Sequence, residues 1–422
     1  MLTQSIISIS DFTRVLVKQF ICSQSRGDAQ HGGLHHGNVL CLMGAPGTAK
    51  DAGVDQAVEL IKAFVMPKLF PDVKDFCTGE LHAGELDIVG LTGVPKVINV
   101  SKETQIGETV FNPTGLIPRW SHGVCKINEY GQGMQTVQNL LADMTRARRM
   151  SSLEISKSVL FVLLMNRLSD RSCTHEMPAH AANRLTLCEG DDSGQALGQS
   201  WINFALGMPV TTIMSVDEIN RDIERELARG HISTYHPKVI AFHKSTKFDH
   251  LQCFNADDDE TPQATCRSWE MASAWEYALG HEPELLRMML TGTLGQDRAI
   301  AYLEFSNMVD HCISIEEIVA DPHGAKIPTG DNAIDLKYTI MISLINRIDD
   351  SEYFNHVYPY VNRFDPDVAN LFVMLAEDRL AQMYDKKAPG YLDFFKTEAF
   401  NQHTLSHGND FAKMLGKESS NS

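Results

Sequence analysis

Eight residues near the N-terminus combine small side chains, a lysine and a carboxylate between an apolar run and an amphipathic segment. Small residues let successive backbone N–H groups point inward at an anion, and a lysine can reach the outer phosphates of a nucleotide. The strict phosphate-loop pattern, G-x-x-x-x-G-K-[ST], fails at Ala49 and Asp51. Taken alone, the segment fits a phosphate loop and a plain strand-to-helix turn equally well. Its residues are Gly44, Ala45, Pro46, Gly47, Thr48, Ala49, Lys50 and Asp51.

Two later apolar runs end in polar side chains of the kind that nucleotide hydrolysis uses. GVCKINEY is a candidate strand that ends near Asn128 and Glu129, and KSVLFVLLMN is another that ends in Asn166. At such strand ends, acidic groups hold the water shell of a metal and polarise the attacking water. An ordinary polar strand end is the alternative. Because ligands bind at the carboxyl ends of parallel strands, we expect these three side chains to meet Lys50 in one crevice.

The elements that would position these residues follow an α/β pattern. Short apolar runs, each followed by a turn and a longer periodic segment, extend from about Asn38 to Val210, and later segments have helical spacing. The first unit is a strand at 38–43 followed by a helix. We predict an α/β domain at 1–190, an α-helical domain at 191–345 and a C-terminal helical extension and tail at 346–422.

Composition narrows the class of protein. Asp and Glu outnumber Lys and Arg 54 to 37, and the net charge of -17 disfavours direct nucleic-acid binding. Nine cysteines without a C-x-x-C pair indicate reduced thiols. The N-terminus lacks the pattern of a signal peptide, and the apolar runs are too short to span a bilayer. The expectation is a soluble, cytoplasmic protein with no membrane partner.

The series of motifs resembles the MoxR-like AAA+ ATPases, especially their phage and bacterial branch. The resemblance covers roughly residues 35–345 and depends on the order of many weak motifs. It implies an AAA+ P-loop ATPase core with a parallel sheet, an α-helical lid after it, and ATP and Mg²⁺ as cofactors. The motifs are GAPGTAKD, ELDIVGL, KINEYGQ, LLMNR, AANRL, CRSWE, GTLGQDRAIAYLEF and EEIVADPHGAKIPT.

The resemblance also assigns roles to single residues. Gly44, Gly47 and Lys50 would cradle the phosphates, Glu129 would be the catalytic glutamate that orients water, and Asn166 would be a sensor that positions it. For Asn166, a strand cap is the alternative.

Two arginines complete the implied site. Arg184 matches an arginine finger that acts on the nucleotide of a neighbouring subunit, and Arg267 matches a sensor arginine of the lid in the same chain. Surface ion pairs are the alternative for both. The nearby run of Arg146, Arg148 and Arg149 could face a pore or a neighbouring nucleotide, or serve as favourable cations at a helix C-terminus.

Two positions depart from the resembled family. The family carries Ser or Thr where this chain has Asp51, and Asp where it has Asn128. One consequence would be weak nucleotide binding and slow or absent hydrolysis, because a carboxylate beside ATP phosphates costs on the order of a few kcal/mol. The other would be a rebuilt metal site, with Asp51 as a direct ligand and Asn128 holding a metal-bound water.

The resemblance implies a ring-forming homo-oligomer, most often a hexamer, that uses ATP hydrolysis to remodel or load a protein partner. A partner with a von Willebrand factor A domain is typical of the family, and nucleic acid is disfavoured by the charge. One alternative is a non-hydrolysing, nucleotide-sensing ring subunit or scaffold. A second is a DNA-associated AAA+ motor, for which the arginine run is the main support.

Overall fold

We describe the chain from a computed structural model. The described residues are 5–25, 38–100, 104, 106–112, 115–151, 153–170, 172, 174–211, 214–229, 235–255, 262–310, 315–329, 333–345, 347–384 and 386–414. They divide into two compact units. Unit 1 comprises Met1–His236 and His250–Ile300, and unit 2 comprises Pro237–Asp249 and Ala301–Ser422.

A parallel sheet of six strands, in the order β1-β10-β2-β9-β6-β3, forms the centre of unit 1. Two short antiparallel pairs, β4 with β5 and β7 with β8, lie outside it. The strands are β1 (Ser5–Ile7), β2 (Leu40–Met43), β3 (Phe76–His82), β4 (Val94–Ile98), β5 (Glu108–Asn112), β6 (His122–Asn128), β7 (Arg149–Met150), β8 (Leu153–Glu154), β9 (Val159–Met165) and β10 (Thr186–Gly190).

Helices surround this sheet and make up the rest of the chain. In its first half they are α1 (Ile9–Ser25), α2 (Lys50–Leu60), α3 (Met66–Leu69), α4 (Ile88–Thr92), α5 (Gln135–Ala147), α6 (Ala179–Ala182) and α7 (Gly194–Ala205). A π-helical turn, Ile61–Val65, joins α2 to α3. The later helices are α8 (Val216–Arg229), α9 (Pro237–Ser245), α10 (Cys266–Leu279), α11 (Pro283–Leu294), α12 (Gln296–Asp310), α13 (Ile315–Ala320), α14 (Ala333–Ile345), α15 (Ser351–Val361), α16 (Pro366–Met383), α17 (Pro389–Leu392) and α18 (Glu398–Met414).

Burial explains why the central strands read as continuous apolar runs. Every residue of β2 and β9 is buried, as expected for parallel strands with both faces covered. On one face Leu141 of α5 joins Ile127 and Phe161 in a single core cluster. On another side α1 packs on α2 at Gly53, where a Cβ would lie 2.6 Å from Ile9. The glycine thus permits the close approach of two helices.

Unit 2 is helical and has its own aromatic core. Phe354 of α15 lies 4.6 Å from Phe394 and 5.8 Å from Phe372, measured between ring centroids. All three rings are fully buried. Such aromatic pairs stabilise by about 0.5 to 1.5 kcal/mol each beyond the burial of their surface.

The predicted α/β core with a parallel sheet, followed by a helical C-terminal region, is confirmed. The assignment of that core to the P-loop ATPases stays a prediction. The strands predicted at 38–43, 123–130 and 157–166 are β2, β6 and β9. The compact units divide after residues 236, 249 and 300 and not at 190 or 345. Because compact units need not coincide with functional domains, the predicted domain boundaries stay predictions. Among the described residues, we find no helix whose length and apolar character would let it cross a membrane.

Candidate active site

A cavity of about 780 Å³ lies at the carboxyl ends of the sheet strands in unit 1. It brings together Lys50, Asn128, Glu129 and Asn166, as the sequence predicts, although their chemical roles stay predictions. The lining residues are Pro46, Gly47, Thr48, Ala49, Lys50, Asp51, Ala52, Glu80, His82, Asn128, Glu129, Leu164, Met165, Asn166, Leu197, Ser200, Trp201, Phe204 and Val210.

The loop between β2 and α2 holds the backbone shape that a phosphate loop needs. Gly47 has φ 78° and Ala49 has φ 60°, so both lie in the left-handed region. Ala49 stands where the strict pattern has glycine, yet it keeps the conformation for which glycine is chosen. No side chain of the described residues caps the N-terminus of α2. The backbone N–H groups at the N-terminus of α2 are therefore available to bind an anion.

This strained alanine supports a prediction about stability. Replacing Ala49 with glycine is expected to raise the free energy of unfolding by about 1 kcal/mol, because the left-handed backbone costs an alanine roughly 1–2 kcal/mol. Urea unfolding measures the change. The control is Ala52→Gly, inside α2, which should destabilise by about 1 kcal/mol. Equal destabilisation by both variants would show that Ala49 is not strained.

The ammonium of Lys50 lies within the loop itself. Its Nζ donates hydrogen bonds to the carbonyl oxygens of Gly44 at 2.6 Å and Ala45 at 2.8 Å, and to Oδ1 of Asn166 at 3.1 Å. Burial lowers the pKa of Lys50, and the charge of Arg167 lowers it further, against the opposing effect of Asp170 and Asp51. A buried ammonium with only neutral hydrogen-bond acceptors is suited to pair with an anionic ligand.

The end of β6 carries a buried amide with one free acceptor. The Nδ2 group of Asn128 donates a hydrogen bond to Oε1 of Glu80, on the adjacent strand β3. Its Oδ1 is buried and accepts no hydrogen bond from any described residue. Amide and carboxylate oxygens are ligands that Mg²⁺ and Ca²⁺ accept. Glu80 and Asn128 thus offer hard oxygen atoms at the ends of two adjacent strands.

Asp51 is positioned by a cation rather than by the loop. Its side chain is 57% exposed, and its Oδ1 lies 3.6 Å from Nζ of Lys126. The same ammonium lies 2.9 Å from Asp55 and 3.9 Å from Oε2 of Glu80. Nearby carboxylates raise the pKa of Lys126 even though burial opposes this. Lys126 therefore neutralises part of the negative charge that Asp51 brings to the cavity.

Glu129 also occupies a left-handed backbone position, with φ 52°, directly after β6. Its side chain is exposed and lines the cavity. A non-glycine residue in this region costs on the order of 1–3 kcal/mol, and such residues cluster at functional sites. The strained turn directs a carboxylate into the cavity next to Asn128.

The two predicted arginines do not line this cavity. Arg184 forms an ion pair with Asp143. Burial lowers the pKa of Arg267, and the charges of Arg146 and Arg184 lower it further. The three arginines are thus close enough to repel one another, and Arg146 is paired with Glu270 at 3.0 Å. Arg267 lies one turn before Glu270 on α10, and Arg184 pairs with Asp143 of α5, the helix that carries Arg146. These ion pairs connect the segments that carry the three arginines, and none of the three lines the cavity.

The arginine run at 146–149 does not form one exposed basic surface. Arg148 is only 4% exposed and donates a hydrogen bond to the carbonyl oxygen of Val159. Its guanidinium lies 4.9 Å from the ring centroid of Phe161, so it takes part in the core. This placement weakens the case for a basic pore.

Sequence reasoning missed several residues of the cavity. Glu80 and His82 come from β3, where His82 Nε2 lies 3.5 Å from Glu80. Trp201 and Phe204 come from α7. Glu80 lies near the carboxyl end of β3, a position typical of ligand-binding residues, but the sequence pattern does not predict this strand. His31, His35 and His36, whose imidazoles are of the type that binds transition metals, lie outside the described residues.

The sheet, the loop before α2 and the cavity define an α/β fold with a candidate anion-binding loop between a strand and a helix. No family profile and no curated protein matches the chain. A solved structure from Cytophaga hutchinsonii, described as a "putative ATPase", is 13% identical over 69% of this chain and 83% of that chain, with a TM-score of 0.37. At this level of similarity, a function has to be argued from the residues of the site.

Proposed function

We propose that this chain is an ATP-binding AAA+ ATPase of the MoxR-like type, which uses ATP hydrolysis to remodel or load a protein partner, with hydrolysis weakened. The observation that carries the proposal is the left-handed Ala49 followed by buried Lys50, at the carboxyl end of a parallel sheet. Non-glycine residues in the left-handed region cluster at functional sites, and Ala49 and Glu129 both line this cavity. A phosphate loop accounts for the conformation of Ala49, because the N–H groups of such a loop must converge on the anion.

Residues of the cavity would each have a separate role in ATP hydrolysis. Lys50 exchanges its carbonyl partners for phosphate oxygens, and Asn166, already bonded to Lys50, lies where it can orient a water. Glu129 accepts a proton from that water as the water oxygen attacks the γ-phosphorus of ATP. The bond from this phosphorus to the bridging oxygen breaks, and ADP and inorganic phosphate leave. Bound Mg²⁺ would neutralise charge on the phosphates. Glu80, Asn128 and Asp51 are the residues that would hold it. Loss of a strand-end aspartate is the reason for expecting slow turnover.

The composition of the metal site gives a testable prediction. Glu80→Gln is expected to weaken Mn²⁺ binding in the presence of ATP by about 10- to 100-fold, because the carboxylate either ligates the ion or orients Asn128. Electron paramagnetic resonance of free Mn²⁺ measures the affinity without requiring turnover. Glu154→Gln, on β8 and outside the cavity, is the matched control. An unchanged Mn²⁺ affinity in Glu80→Gln would exclude Glu80 from the site.

A double-mutant cycle tests whether Asp51 and Asn128 act as a compensating pair. Asp51→Ser, Asn128→Asp and the double variant would be titrated with Mg²⁺ in binding and turnover assays. If the pair compensates, the double variant departs from the sum of the singles by at least about 0.5 kcal/mol. If the effects of the two single substitutions simply add in the double variant, Asp51 and Asn128 do not compensate for each other. The proposal of a weakened metal site then stands.

The arginine cluster supports the proposed ring. The ion pairs Arg146–Glu270 and Arg184–Asp143 connect the segments that carry Arg146, Arg184 and Arg267. None of the three lines the cavity of its own chain, as expected for groups that serve a neighbour's nucleotide. A head-to-tail ring, with six copies as the first expectation, would bring them there. We place the protein in the cytoplasm, because none of the seven described cysteines forms a disulfide bond. A protein partner, including one with a von Willebrand factor A domain, remains the proposed client.

A non-hydrolysing, nucleotide-sensing scaffold is the second candidate, favoured by the ion pair of Asp51 with Lys126, which holds the carboxylate without a metal. ATP binding with Mg²⁺, measured together with oligomeric mass and phosphate release, separates the two. ATP binding, ring formation and slow release of phosphate support the ATPase. Binding and assembly without release support the scaffold, and failure to bind nucleotide contradicts both.

A further inference from the structure

Helix α7 carries large apolar side chains that its own unit leaves uncovered. None of its 12 residues is buried. Trp201 is 68% exposed and Phe204 is 69% exposed. Contiguous exposed apolar side chains mark surfaces that bind a ligand or a partner.

Part of this surface belongs to the cavity already described. Leu197, Trp201 and Phe204 line the same space as Lys50 and Ala49. The cavity therefore has a polar wall at the loop and an apolar, aromatic wall at α7. A triphosphate would use only the polar wall, and about 780 Å³ is in the range of sites that enclose a whole small ligand.

We propose that Trp201 and Phe204 form the base-binding wall of the cavity, on which the base of a nucleoside triphosphate stacks. This inference rests on the proposed function, since it requires phosphates on the loop. It adds that the ligand is recognised through an aromatic base and not through its phosphates alone. Because every base has a π-face, stacking favours nucleotides over inorganic polyphosphate more strongly than one base over another.

The test compares two ligands that share the phosphate chemistry. ATP and inorganic tripolyphosphate are titrated into the full chain with Mg²⁺ by calorimetry, and tryptophan fluorescence is followed in parallel. Trp201→Ala is expected to weaken ATP binding about 5- to 100-fold and to leave tripolyphosphate affinity unchanged. Phe204→Ala is expected to act in the same direction. Wild-type fluorescence should change with ATP and not with tripolyphosphate.

Ile202→Ala is the matched control, because Ile202 is 46% exposed on the same helix and does not line the cavity. It should leave both affinities unchanged. If ATP and tripolyphosphate bind equally to the wild type, or if Trp201→Ala and Phe204→Ala leave ATP affinity unchanged, the base wall is wrong and the proposed function stands. If neither ligand binds, the proposed function fails as well. A loss of oligomeric mass in Trp201→Ala without a change in ATP affinity would assign α7 to contact with a second copy and overturn the inference.

Discussion

Replacing Lys50 with methionine is expected to weaken ATP binding by about 100-fold or more. Hydrogen bonds to charged groups contribute about 1.5–3 kcal/mol each, and the Lys50 ammonium can make two or more to a triphosphate. The side chain is 9% exposed and already lies among the loop carbonyls, so little reorganisation is needed to reach the ligand. Isothermal titration calorimetry with ATP and Mg²⁺ measures the loss.

Lys62→Met is the control for this variant, because Lys62 is an exposed lysine on the π-helical turn that follows α2. It should bind ATP like the wild type. Both variants should retain cooperative thermal unfolding, which shows that the effect concerns the ligand. If Lys50→Met binds ATP within about threefold of the wild type, the loop does not hold the phosphates.

Replacing Lys18 with methionine is expected to lower the free energy of unfolding by about 1–3 kcal/mol. Lys18 of α1 is 3% exposed. Its Nζ lies 2.5 Å from Asp222, 2.5 Å from Glu282 and 3.2 Å from Glu218. Removing the ammonium would leave the buried carboxylate of Asp222 and the partly buried Glu218 and Glu282 with fewer cations, namely Arg14, Arg225 and His281. A buried charged group that loses a hydrogen-bond partner costs more than the bond itself contributed. Urea unfolding near pH 7 measures the effect.

The exposed Lys68 provides the control, since it makes only a surface hydrogen bond to Asn220. Lys68→Met should change the free energy of unfolding by no more than about 0.5 kcal/mol. A Lys18→Met variant as stable as this control would show that the carboxylates are hydrated or protonated in the native protein.

The same cluster sets the acid sensitivity of the fold. Burial alone would raise the pKa of Asp222 and Glu282, but hydrogen bonds from His281 and Lys18 lower both to about 2 from 3.8 and 4.5. A lowered pKa means stability that is complete above the ordinary pKa and lost as the pH falls through the folded value. The stability gap between wild type and Lys18→Met should therefore narrow as the pH falls from about 5 towards 2. If the difference in unfolding free energy between wild type and Lys18→Met stays constant over this pH range, Lys18 does not pair with Asp222 and Glu282.

The elements closest to the loop could be predicted because their sequences follow simple physical rules. β2 and β9 are buried on both faces, so every position is apolar. Strand β3 was missed because it lies at the edge of the sheet, where only one of its seven residues is buried. Missing β3 also meant missing Glu80, whose role depends on a neighbouring strand and not on sequence spacing.

Other features of the site depend on tertiary contacts that no pattern records. The left-handed backbone at Ala49 contradicts the preference of alanine and is held by the surrounding fold. Arg148 reads as part of an exposed basic run, but it is buried against Phe161. The ion pair of Arg146 with Glu270, one turn from Arg267, depends on how α10 packs in unit 1.

The most direct test of the nucleotide site is a crystal structure of the chain with Mg²⁺ and a slowly hydrolysed ATP analogue. We expect the triphosphate to lie in the loop at 44–51, with Nζ of Lys50 moved from the carbonyl oxygens of Gly44 and Ala45 to phosphate oxygens. An analogue bound elsewhere, or bound with Lys50 still on those carbonyls, would contradict the account.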